Sequence, residues 1–94
     1  MENYPEKLVN VVNEYLKKYE GAEIFYKDCY TSTPYQNKTI TDTTYKIYIL
    51  WGNLFEVFSY TVCSKPEYNF KEVKNNFMIA QEIKDCYEKS GFFK

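Results

Sequence analysis

Neither histidine nor arginine occurs anywhere in this 94-residue chain. Histidine is the commonest general acid or base, and arginine is the usual clamp for phosphate and carboxylate groups. Their absence weighs against enzymatic chemistry. An active site here would have to rely on tyrosine, lysine and carboxylate side chains converging in a concave pocket. Glycine is also scarce: Gly21, Gly52 and Gly91 stand far apart, so no glycine-rich phosphate loop can form. Three cysteines, Cys29, Cys63 and Cys86, show no Cys-x-x-Cys spacing and have no histidine to complete a zinc set. Their odd number fits poorly with a disulfide framework, and each reads as a small buried apolar side chain. Acidic residues such as Glu20, Glu23, Asp28 and Asp42 lack calcium-loop spacing. The expectation is therefore a protein with no catalytic residues, no metal site and no cofactor. The longest apolar run, Ile47 to Trp51, is too short to span a bilayer, and the Met1 to Tyr4 start lacks the features of a signal peptide. These absences point to a cytoplasmic protein with reduced thiols and no membrane partner.

What the chain has is aromatic surface: eleven tyrosines, seven phenylalanines and one tryptophan. With 45% apolar and 27% charged residues it matches ordinary globular chains, and its length allows one hydrophobic core, so residues 1–94 are expected to form a single domain. Lysines and acids nearly balance at a formal charge of -1, which supplies no field to draw in a polyanion. The heavy use of Lys, Asn, Tyr, Ile and Phe is what AT-rich codons produce, as in an AT-rich bacterium, a phage or an archaeal virus.

Leu8, Val11, Val12, Tyr15, Leu16 and Tyr19 recur at helical spacing between Pro5 and Glu20, and Gly21 stands where a left-handed cap would end that helix. From Ala22 to Tyr30 the period becomes two. That predicts a strand with Ile24, Tyr26 and Tyr30 on one side and Phe25 and Cys29 on the other. The Thr31 to Thr44 stretch, with six threonines and Pro34, reads as turns and short extended pieces, and its later part from Thr39 could extend the next strand. Thr43 to Trp51 and Leu54 to Cys63, separated by Gly52-Asn53, predict a tight hairpin. A two-residue turn opposes Trp51 to Leu54, Leu50 to Phe55, Ile49 to Glu56, Tyr48 to Val57, Ile47 to Phe58 and Tyr45 to Tyr60. One face then carries Tyr45, Ile47, Ile49, Trp51, Leu54, Phe58, Tyr60 and Val62, interrupted only by Glu56. After a connector from Ser64 to Tyr68, Asn69 and Glu72 have capping-box spacing, which predicts a second helix to about Ser90. The expected fold is α+β in αβββα order, a three-stranded antiparallel sheet with two helices packed on one face.

The other sheet face holds Tyr48, Leu50, Phe55 and Val57 with Lys46 at the rim, and a patch of this kind is seldom left bare. These five residues are the expected partner-binding site of a small non-catalytic protein-binding module. The partner would be a host or cognate protein, or a second copy in a homodimer. If the faces were exchanged, Tyr45, Ile47, Phe58 and Tyr60 would take that place. Together with the residue usage, this fits an accessory protein of a phage or mobile element that inhibits a host defence or nuclease complex. The alternative is nucleic-acid binding: Lys71 and Lys74 open the second expected helix, with Lys65 upstream. The helix, three strands, helix order is similar to that of double-stranded RNA-binding domains, which implies phosphate contacts from that lysine-bearing helix start.

Overall fold

The computed structural model describes residues 3–52 and 54–77. Among them are one helix, α1 (Glu6–Lys18), and four strands, β1 (Glu23–Ser32), β2 (Asp42–Trp51), β3 (Leu54–Cys63) and β4 (Lys74–Phe77). A 3-10 turn at Pro66–Tyr68 lies in the connector between β3 and β4. The strands pair antiparallel in the order β1-β2-β3-β4, so each lies beside its neighbour in the chain.

The first helix forms where its apolar spacing predicts. Pro5 flanks it and its carbonyl accepts the Val9 N–H at 3.0 Å, while Glu6 in the first turn and Lys17 and Lys18 in the last oppose the helix dipole. The chain then turns sharply through Gly21, whose φ of +90° suits glycine and strains other residues. Leu8 and Val12 on the inner stripe are wholly buried against Ile47, Ile49, Phe58 and Tyr60. Burial of each such side chain is worth about 1.5–3 kcal/mol. This fixes which sheet face α1 covers: the one that begins at Tyr45 and Ile47.

The β2–β3 hairpin has the expected register throughout, from Trp51 opposite Leu54 to Tyr45 opposite Tyr60. β1 departs from its expected alternation. A bulge between Ile24 and Tyr26 breaks the period of two, so Ile24 packs with the α1 side while Phe25 and Tyr26 both join the opposite face.

The expected three strands and two helices are corrected to one helix and a four-stranded sheet among the described residues; the α+β class stands. Asn69 and Glu72 do not open a helix. The Asn69 side-chain oxygen accepts the Cys63 N–H at 2.7 Å, which removes the cap, and Asn69 itself is extended. Residues Lys74 to Phe77 then pair with Ser59 to Glu56 on the remaining edge of β3. Sheet pairing thus outweighs a local helix signal. The rest of the expected helix, including Cys86, lies outside the described residues. No helix among the described residues is long and apolar enough to cross a membrane.

Candidate functional site

Strand register brings Tyr48, Leu50, Phe55 and Val57 into one cluster on the face away from α1, with Tyr48 opposite Val57 and Leu50 opposite Phe55. The bulge adds two residues that period-two reading divides between the faces. Phe25 lies edge-on to Phe55 at 5.8 Å and 6.2 Å from Tyr48, and Tyr26 lies 5.4 Å from Tyr48. Phe25 and Tyr48 are buried, and Tyr26, Leu50, Phe55 and Val57 are half-buried. The centre of this face is therefore a second packed cluster, and its accessible part lies towards β1. There Lys46 places its ammonium 5.6 Å from the ring of Tyr30, which is 46% exposed.

β1 is an edge strand of ten residues with β2 on one side. Its first half is guarded by devices that discourage further pairing: the bulge, the exposed Lys27, and a hydrogen bond from the Tyr4 hydroxyl to the Asp28 carbonyl at 3.2 Å. The Asp28 carboxylate also accepts the Cys29 N–H at 2.9 Å. From Cys29 to Ser32 every residue is exposed, uncharged and in strand conformation. Cys29 is therefore not the buried thiol expected of it; Cys63 is buried, and Cys86 lies outside the described residues.

The threonine-rich loop is tied to the β3–β4 connector. Backbone of Thr41 and Ser64 pairs at 2.8 Å, the Ser64 hydroxyl accepts the Thr41 N–H at 3.0 Å, and the Tyr35 ring stacks on Tyr68. Tyr35 donates to the Asp42 carboxylate at 2.9 Å. Its phenol is raised above the ordinary range by hydrogen bonding, first with Cys63 and then with Asp42.

The alternative site residues Lys65, Lys71 and Lys74 do not share a helix start. Lys65 pairs with Glu67 at 3.5 Å and lies over the Tyr68 ring, and Lys74 lies over Phe70 at 4.4 Å. Lys71 faces a groove beside α1 together with Glu72 and Lys7. The topology that carried the likeness to double-stranded RNA-binding domains is absent from residues 69–77.

One concave site does gather tyrosine, lysine and carboxylate groups, on the α1 side of the sheet. An open cavity of about 310 Å³ is lined by Tyr15, Tyr19, Phe58, Glu56, Glu14 and Lys18, with Val11 and Asn75 completing its wall. Glu56, the one polar interruption of the expected apolar face, is 8% exposed, and its Oε2 has no hydrogen-bond partner among the described residues. The Tyr15 phenol is held above its usual range by burial first, then by hydrogen bonding to the Glu56 carboxylate and by its charge. No three Cys, Asp or Glu side chains form a metal cage among the described residues. Comparison with protein-family models, with curated proteins and with solved structures yields no match.

Proposed function

We propose that this chain is a small non-catalytic protein-binding module that takes an extended segment of a partner protein alongside the outer half of β1. Tyr30 and Lys46 contact that segment, and Leu50 and Val57 extend the contact across the sheet. The carrying observation is the run Tyr30 to Ser32, beyond the Cys29 N–H that Asp28 occupies, an exposed stretch of edge strand with no neighbouring strand on its outer side among the described residues. Strand addition suits such an edge, because backbone hydrogen bonds supply affinity and alternate side chains supply selectivity. The narrower reading, an accessory inhibitor from a phage or mobile element, rests on residue usage and belongs to the same proposal.

The test is affinity capture from a host lysate with the wild-type chain and with Tyr30→Lys/Ser32→Lys, each with and without nuclease. A stoichiometric protein that survives nuclease and is lost with the edge lysines supports the module. Retention by the edge variant removes β1 from the interface. Loss on nuclease treatment, reproduced by Lys71→Ala/Lys74→Ala, replaces the proposal with nucleic-acid binding. Light scattering on the purified chain detects the case in which the added strand is a second copy.

A further inference from the structure

We infer that the cavity between the C-terminal half of α1 and strands β3 and β4 binds an alkylammonium group that carries at least one N–H, seated against Glu56 and walled by Tyr15, Tyr19 and Phe58. This is separate from the β1 edge and does not depend on it.

The carboxylate is held in place by the sheet. Glu56 lies on β3, an inner strand, opposite Ile49 on β2 and Phe77 on β4, so its side chain is directed to the α1 face by the same register that buries Ile49 and Phe58. At 8% exposure it has lost most of its water, and among the described residues Oε2 gains no donor in return. A buried acceptor left unpaired is costly, and a charged one more so. Lys18 lines the cavity, yet its ammonium lies 5.4 Å from the Tyr19 ring centroid, and the one ion pair among the described residues joins Lys65 to Glu67 instead. Tyr15 of α1 hydrogen-bonds to this carboxylate, but Oε2 keeps no donor among the described residues and is open to one from outside.

The walls select the kind of donor. Tyr15 and Tyr19 lie 4.5 Å apart with their planes tilted by 43°, and Phe58 meets Tyr15 edge-on at 5.3 Å. Aromatic faces beside a carboxylate attract an ammonium, through the ring quadrupole as well as the opposite charge. Glu14 and Glu56 set two carboxylates against the single ammonium of Lys18, so the lining favours a cation. A hard metal ion would want about six oxygen ligands, and no three acidic side chains converge among the described residues. The open acceptor distinguishes among ammonium ions. A trimethylammonium group can meet the rings but cannot donate to Oε2, whereas a primary, monomethyl or dimethyl ammonium can do both. At about 310 Å³ the cavity exceeds the roughly 30 Å³ share of one water molecule and admits the end of a lysine side chain or a small free amine.

The experiment is a chemical-shift titration of the isotope-labelled full chain. Its probes are a lysine with acetyl and methylamide blocked ends, the dimethyl, trimethyl and acetyl derivatives of its side-chain nitrogen, and 1,4-diaminobutane. The expected result is saturable shifts at Tyr15, Tyr19 and Glu56 with the primary and dimethyl forms. Binding should be about tenfold weaker for the trimethyl form, which forgoes the hydrogen bond, and absent for the neutral acetyl form. Preference for blocked lysine over the diamine assigns the site to a protein side chain, and the reverse to a free amine. Glu56→Gln should weaken binding by about tenfold or more with an unchanged circular dichroism spectrum. Lys18→Ala, at an exposed position, should tighten it by about threefold by removing a competing ammonium, and it decides the matter if Glu56→Gln fails to fold. Undiminished binding to Glu56→Gln, equal binding of the acetyl form, or no saturable shift with any amine in wild type and Lys18→Ala overturns the inference.

Discussion

The two faces of the sheet differ in how they exclude water. On the α1 face, Leu8 and Val12 descend onto Ile47, Ile49, Phe58 and Tyr60, and a separate element covers the strands. On the other face Phe25, pushed out of alternation by the bulge, lies against Tyr48 and Phe55, so the sheet covers part of itself with its own rings. The buried acid is on the helix-covered face, whereas Lys46, Ser59 and Thr61 stand on the other. Polarity alone therefore does not tell which face is more deeply buried; the placement of the covering element does.

The largest expected contrast comes from truncating neighbours on β3 that point in opposite directions. Phe58→Ala should lose about 3–5 kcal/mol, as for a buried aromatic core residue, while Val57→Ala should lose about 1 kcal/mol. Urea titration of both variants measures this, and equal losses would mean that the two faces are equally essential. Next in size is Glu56→Leu, which removes a buried carboxylate with an unpaired oxygen and should gain about 1–3 kcal/mol in the same titration. No gain would show that the carboxylate is satisfied where it stands. A gain in stability with loss of amine binding would separate the chemical task of the residue from its structural cost.

Alkaline pH should act mainly on the α1 face and on the loop between β1 and β2 that carries Tyr35. Tyr15 and Tyr4 are raised chiefly by burial, and Tyr35 by its hydrogen bonds. A phenol whose folded pKa exceeds its unfolded value, about 10, contributes stability that is complete below that pH and disappears as pH rises through the folded value. Melting temperature should hold steady up to about pH 9.5 and then fall, less steeply in Tyr15→Phe than in wild type. A decline beginning well below pH 9 would point to other groups. The smallest effect on stability belongs to the edge. Tyr30→Lys/Ser32→Lys should change folding free energy by no more than about 0.5 kcal/mol, since these side chains are exposed, even though the proposed partner contact is lost. A larger change would mean that β1 is packed more firmly than its exposure shows.

Much of this architecture was legible in the residues. The helical spacing from Leu8 to Tyr19 located α1, and the two positions between Trp51 and Leu54 set ten cross-strand pairs at once. Three features were not. Asn69 and Glu72 carried a helix-start pattern whose cap depended on an amide oxygen that Cys63, six residues earlier, takes instead. The bulge after Ile24 leaves no signature in a stretch where both neighbours, Phe25 and Tyr26, are aromatic. Glu56 was visible as an interruption, but its meaning depended on Tyr15 of α1 meeting it in space. The clustering of Tyr48, Leu50, Phe55 and Val57 followed directly from the hairpin register, whereas the burial of Tyr48 required Phe25 and so the bulge.

The unbranched path of the sheet bears on the order in which the protein comes together. Because each described strand pairs with its sequence neighbour, each ladder closes a short stretch of chain, and β2 with β3 closes the shortest. Low sequence separation between partners favours rapid formation, so the central hairpin is the natural seed and the outer strands add to it afterwards. The margins of the sheet are then the last ladders to form and the first to fray. A visiting strand at β1 would move that margin outward by one position, turning an outer ladder of the described sheet into an interior one.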